Sequence, residues 1–376
     1  MLFRQSLLLF TASTLCAQFA GLSLPPSGGN QKAVVTQFIG PVKVSISYSS
    51  PAVHGPASPA GGPAVDRRGK IWGQVVPYGL NDLNFGTTKQ APWRGGANEN
   101  TVLTFSHPML LEGQAVPAGS YGLHFIVDPT EWTMILSKDS QSWGSFFYNP
   151  AHDLLRVKLK PAKHEYREYL TYEFPLRKEN EVRAEMQWED LSVGFNLKVE
   201  NPTEIYLSRL RAELTSATGF ENDAWVTAAR YCLQNNVNLE EALTWSDYAI
   251  NAPFVGRKNF NTLNTKAGLL SRLNKDAEAK ALMAEAIQLP GTTSFEIHQY
   301  GRTLQAAGKN KEAFEVFSMN EKRFGEAWPT HVGMARGYMG IGDKPKALEH
   351  ARKALAQAPD EINRKSLESI IKSLEN

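Results

Sequence analysis

A step of 34 residues constrains the C-terminal half of this chain more than any other feature. Ala267, Gly301 and Ala335 are each 34 apart, as are Leu270, Leu304 and Tyr338, and Ala279, Ala313 and Ala347. Gly308 and Gly342 keep the same step, and Ala249, Ala286 and Ala354 mark another small position that Asn320 fills in the third unit. Pro253, Pro290 and Pro359 close three of the four units. Each unit reads as two antiparallel helices. Small residues stand where backbones must approach, glycine makes the turn, and proline ends the second helix. One such pair cannot bury its own apolar face, so the units must stack into a solenoid. A helical bundle with accidental periodicity is the plain alternative, and several positions in register over three units count against it.

A 34-residue helical pair with this pattern resembles the tetratricopeptide repeat family. Four units are expected, at about 222–253, 258–290, 293–325 and 327–359. A capping helix follows over Glu361–Leu374, with Ile362, Leu367, Ile370, Ile371 and Leu374 available for its inner face. The resemblance implies a protein- or peptide-binding groove lined by the first helix of each unit. The position after the small residue in register is Arg230, Gly268, Arg302 and Arg336, with Arg272 and His298 nearby on the same helices. A row of guanidiniums could pair with the carboxylates of an acidic segment or a chain terminus. Surface arginines paired to local Glu are the competing explanation.

Upstream of about residue 200 the pattern is β. Lys32–Ile39 and Val42–Tyr48 flank Gly40-Pro41, and Val42, Val44, Ile46 and Tyr48 fall on one face, the period of a half-buried strand. Thr101–Ser106, a meander over Met109–Val127, Trp132–Ser137, Leu154–Leu159, Tyr169–Phe174, Val182–Trp188 and Ser192–Val199 continue the series. Short strands with frequent turns argue for a sandwich or barrel. The Pro- and Gly-rich residues 51–69 read as a loop. The predicted architecture is multidomain: an all-β sandwich-like domain at 32–200, a linker helix at 201–221 begun by Thr203, and the α-solenoid at 222–376.

Within the β region, several stretches in order resemble the family known as domain of unknown function 2911. They are Ser47–Gly55, Val76-Pro77-Tyr78-Gly79, Trp93–Thr101, Val116–Tyr121 and Leu154–Val157. The segment between Tyr78 and Trp93 is longer than in that family. The resemblance implies a β-sandwich-like fold and no particular reaction. Trp93–Thr101 is the segment of most interest. Arg94, Asn98 and Glu99 could floor a polar pocket, with Trp93 and Tyr78 as stacking walls for a sugar or peptide. A packed structural corner accounts for the same residues, and polar groups at strand starts favour that explanation.

The first residues read as an export signal: Arg4, an apolar stretch through Leu15, and a small residue at Ala17. This gives a signal peptide at 1–17 and a flexible lead-in at 18–31. Removing it takes the net charge from +2 to +1 and leaves Cys232 as the only cysteine. No intrachain disulfide or Cys-based metal site is then possible, and Cys232 reads as a small buried residue. The charge shows no clustering that would suggest nucleic acid. No G-x-S-x-G elbow or P-loop is present, and His164-Glu165-Tyr166-Arg167-Glu168 lacks the second His of a zinc motif and reads as a charged loop. No catalytic residue, metal or cofactor is assigned. The expectation is an exported, periplasmic or extracellular binding protein whose repeats recruit a protein or peptide, while the β-domain docks to a glycan or another envelope ligand. A hydrolase of envelope carbohydrate, acting at the Trp93–Glu99 corner or beneath the 51–69 loop, is the alternative.

Overall fold

A computed structural model describes residues 30–55 and 64–375. The signal and most of the lead-in, Cys16 and the centre of the 51–69 loop lie outside the described residues. The chain divides after Ile205 into two compact units.

The first unit is all-antiparallel β. Its strands are β1 (Gln31–Ile39), β2 (Val42–Ser50), β3 (Thr101–Phe105), β4 (Met109–Leu111), β5 (Gln114–Val116), β6 (Gly119–Ile126), β7 (Trp132–Ser137), β8 (Asp153–Leu159), β9 (Ala162–Arg177) and β10 (Glu181–Lys198). A six-stranded sheet runs β1-β2-β3-β6-β7-β8 and a four-stranded sheet runs β5-β4-β10-β9. One core takes Val44, Ile46, Leu103 and Phe125 from the larger sheet and Tyr172, Met186, Trp188 and Phe195 from the smaller. The alternation read in β2 holds, with Val42, Val44, Ile46 and Tyr48 buried.

Two expectations need correction here. The segments Val182–Trp188 and Ser192–Val199 are one strand, because Glu189 adopts φ +55° and forms a bulge rather than a turn. The charged run His164–Glu168 is not a loop but part of β9. That strand is a sheet edge, where outward charge discourages pairing with another chain.

The second unit is helical. Helix α1 (Pro202–Leu214) is followed by the pairs α2 (Asn222–Asn235) and α3 (Leu239–Asn251), α4 (Phe260–Arg272) and α5 (Asp276–Gln288), α6 (Ser294–Ala306) and α7 (Asn310–Phe324), α8 (Trp328–Ile341) and α9 (Lys344–Ala356), then α10 (Glu361–Glu375). The residue that caps α1 is Asn201, whose Oδ1 accepts from the Glu204 N–H at 3.2 Å; Thr203 lies inside the helix. Leu207 and Leu214 of α1 pack with Ala229, Cys232 and Trp245, so its C-terminal half closes the first pair. Burial raises the Cys232 thiol to about 11, which keeps it an inert packing group.

The small positions are buried as the repeat requires: Ala229, Ala267 and Ala335 on first helices, Ala242, Ala279, Ala313 and Ala347 on second helices. Asn320 is buried too, and its Nδ2 donates to Ser294 O at 2.9 Å, tying α7 to α6 where other units have alanine. Gly308 and Gly342 turn with φ +75° and +86°, and Asn274 fills the same step one unit earlier with φ +60°. Thr293 and Glu296 form a capping box on α6, as Asn259 and Thr262 do on α4. In α10, Leu367 is buried as expected, whereas Ile362 is 82% exposed because it stands in the first turn, before the helix meets its neighbour.

Gly301 has a stricter reason than the turn glycines, since a Cβ there would overlap the ring of Phe317. Gly301→Ala is expected to cost about 1–3 kcal/mol of repeat-unit stability through overpacking. Gly308→Ala, strained but unobstructed, is expected to cost about 1 kcal/mol. Urea unfolding of the two variants checks the order.

Candidate functional site

The residues proposed on the solenoid do not act as one row. Arg230 of α2 is spent within the array, donating to Asn261 Oδ1 and, at 3.4 Å, to Thr265 Oγ1 of α4. The next register position is Gly268 because there is no room for a side chain. A Cβ would lie 2.7 Å from Leu233 Cδ2. Arg272 is exposed in the last turn of α4, away from that position.

Arg302 and Arg336 are different. Arg302, on α6, is exposed, and it has no hydrogen bond or ion pair among the described residues. Arg336, on α8, is half-buried, and its Nε is buried without a partner. Burial, and then the positive charge of Arg302, lower the Arg336 pKa. Among the described residues no carboxylate is paired with either, so the local-Glu explanation does not describe these two. Arg336 lines an open cleft of about 480 Å³ with Gln305, Met339 and residues of α10. A second cleft of about 410 Å³, lined by Gly268, Met283, Tyr300 and Leu304, offers an apolar wall on neighbouring units.

His298 of α6 is 4% exposed and packs on Phe317 with ring centroids 5.7 Å apart. Burial first, then the charges of Arg336 and Arg302, bring its pKa down to about 4. It is a neutral core side chain beside the arginines.

The five residues proposed in the β-domain face different environments. Trp93 joins an aromatic cluster, with its ring 5.8 Å from Trp72, 5.9 Å from Phe125, 6.1 Å from Trp132 and 6.2 Å from Trp188. Its Nε1 donates to Gly96 O at 3.2 Å, closing the turn. Arg94 donates to Asn98 O at 2.6 Å and stands over the Phe146 ring at 5.0 Å; burial lowers its pKa. Asn98 adopts φ +58°, serving the turn with its backbone. Glu99 pairs with Lys32 at 2.8 Å and accepts from Ser49 Oγ at 3.1 Å. Tyr78 is exposed, with its ring against Gly73. These contacts are those of a packed corner. The structure brings Arg94 to Asn98 and leaves Tyr78 and Glu99 with other partners.

A polar cluster that sequence reading missed lies at the described ends of the 51–69 loop. Glu168 accepts from the His54 N–H at 2.9 Å and meets His54 Nδ1 at 2.8 Å. Asp66 Oδ1 is 3.5 Å from His54 Nε2, and Tyr166 donates to Glu168 at 2.5 Å. The partners stand 114 residues apart, so no local pattern could have revealed them. The hydrogen-bonded Arg68 holds Asp66 well below the usual carboxylate range. Glu168 is lowered as well, its hydrogen bonds from Tyr166 and His54 outweighing burial. Glu189, at the β10 bulge, is 5% exposed and accepts from Gly69 N–H; its pKa is raised, chiefly by burial.

Residues 30–197 match the family described as Protein of unknown function (DUF2911), the family that their motifs resemble. No curated protein matches the chain. Solved structures that resemble part of the chain include proteins named for TPR repeats. YrrB, titled "a TPR protein with an unusual peptide-binding site", is 19% identical, with 45% of this chain and 84% of that chain covered and a TM-score of 0.30. Pseudomonas aeruginosa PilF is 15% identical, covering 41% of this chain and 67% of that one, TM-score 0.31. MamA from Desulfovibrio magneticus is 15% identical, covering 41% and 93%, TM-score 0.28. The tetratricopeptide-type assignment of the second unit stands on its own 34-residue step and helix pairs.

His298 makes the array pH-sensitive. Its folded pKa of about 4 lies below the ordinary imidazole value of 6.5, so between the two the unfolded chain binds more protons. Stability is therefore expected to fall as pH drops from about 6.5 towards 4, by roughly 1 kcal/mol per pH unit. Urea unfolding at pH 6.5 and 5, with His298→Gln showing a flatter dependence, measures it.

Proposed function

We propose that this protein is a non-catalytic binding scaffold whose helical array takes an acidic peptide segment or a chain terminus at Arg302 and Arg336. One observation carries the reading: two guanidiniums stand close enough for one to shift the other, and neither has a carboxylate partner among the described residues. Such a pair is unfavourable until an anion arrives, and a carboxylate suits its charge. The apolar cleft beside Tyr300 and Leu304 suits an anchoring apolar side chain on the same ligand. Export to the periplasm or beyond, and docking of the β-domain to a glycan or other envelope ligand, complete the proposal. Export rests on the charge and apolar pattern of residues 1–17.

The test is a panel of synthetic peptides with acidic C-terminal segments, free or amidated, titrated against the full chain by fluorescence anisotropy. Arg302→Glu combined with Arg336→Glu is expected to weaken binding by tenfold or more, since hydrogen bonds to charged groups contribute about 1.5–3 kcal/mol each. Raised salt should weaken it as well. Equal affinity of the variant and the wild type would sink the proposal.

A hydrolase of envelope carbohydrate is a second reading, and Glu189 is the observation that favours it. Among the described carboxyls of the β-domain, burial raises its pKa, the direction that suits a general acid, while Asp66 and Glu168 are lowered. If the β-domain is a glycosidase, Glu189→Gln should abolish release of reducing sugar from envelope polysaccharide without unfolding the sheets. No release by the wild type removes this reading.

A further inference from the structure

Glu321, His331 and His350 stand on three successive helices, α7, α8 and α9. One ligand atom of each lies within 4.8 Å of the other two. His331 Nδ1 is 3.3 Å from His350 Nδ1, and His350 Nδ1 is 3.6 Å from Glu321 Oε1. A tetrahedral ion with bonds of about 2.1 Å holds its ligand atoms about 3.4 Å apart, so both separations lie within about 0.2 Å of that edge. A hydrogen bond between two neutral imidazoles would account for the first distance alone. An ion pair between Glu321 and His350 would account for the second, whereas one shared ion accounts for both.

The surroundings suit an ion. His331 is 1% exposed, the His350 side chain 12% and the Glu321 side chain 32%, so the cluster grades from core to solvent and has an entry path on the Glu321 side. Tyr338 packs on the His350 ring at 5.5 Å and steadies it. Two imidazoles and one carboxylate suit zinc and its borderline neighbours rather than calcium or magnesium.

We infer that Glu321, His331 and His350 form a site for one zinc-class divalent ion, with solvent in the fourth position, that pins α7, α8 and α9 together. His331 Nε2 is buried without a partner. The outer hydrogen bond that usually supports a metal-binding imidazole is therefore missing, which lowers affinity by about 10–100-fold relative to a supported site.

The full chain, carrying no polyhistidine tag and stripped with a chelator, is titrated with Co²⁺ and then Zn²⁺. The readouts are cobalt visible absorption, calorimetric stoichiometry and Tm. One ion per chain, intense tetrahedral cobalt bands and a Tm raised by several degrees are expected. His350→Gln and Glu321→Gln, both at partly exposed positions, should each weaken binding at least tenfold while keeping the metal-free helical signal. If His350→Gln loses that signal, Glu321→Gln decides. Absence of saturable one-to-one binding overturns the site. Unchanged affinity in the folded variants does the same, since the ion then sits elsewhere, on surface imidazoles such as His54 or His164. None of these outcomes bears on Arg302 and Arg336, so this inference and the peptide-binding proposal stand or fall separately.

Discussion

The contact on which the helical unit depends is the ring of Phe317 in a nest of glycines. A Cβ at Gly301 would overlap the ring, one at Gly333 would lie 2.7 Å from it, and one at Gly337 would lie 3.1 Å from it. Gly301 is on α6, Gly333 and Gly337 are on α8, and Phe317 is on α7 between them. Three absent side chains let two first helices close on one aromatic wedge from a second helix. Dense packing of this kind tolerates little change in volume. Arg302 directly follows Gly301, and Arg336 directly follows the buried Ala335. The approach that fits Phe317 therefore also sets two arginines close enough for their charges to interact. The electrostatic feature of the array follows from its packing.

Buried polar groups in the same region serve that packing. Asn320 donates to Ser294 O, and Asn222 donates to Ala249 O and Val255 O at the first unit. Asn320 thereby ties α7 to the first turn of α6, and Asn222 ties α2 to the last turn of α3 and the loop that follows it. The neutral His298 lies against Phe317 and contributes volume rather than charge.

The β-domain follows a parallel logic with different means. Trp72, Trp93, Trp132 and Trp188 meet as a cluster drawn from a loop, the Trp93 turn and both sheets. The turn Gly95–Glu99 exists to deliver Trp93 into that cluster. Its polar residues are therefore spent on the turn itself, on Lys32 and on Ser49. Sequence left both a pocket and a packed corner open for this motif, with the corner favoured, because composition does not say which atoms are already bonded.

Sequence alone determined the features that repeat along the chain. The 34-residue step placed the last three helix pairs, and the alternation of Val42, Val44, Ile46 and Tyr48 placed a buried strand face, because both signals reside in regular spacing along the chain. It erred where local geometry breaks a pattern, as at Glu189, whose left-handed backbone makes a bulge inside one strand where two separate strands were expected. Tertiary structure alone decided which charges were left unpaired. Arg230 found Asn261, while Arg302 and Arg336 found no carboxylate among the described residues. It alone joined His54 to Glu168 across 114 residues and set Glu321, His331 and His350 around one point. Those encounters depend on how whole elements pack, and nothing in the spacing of neighbouring residues encodes them.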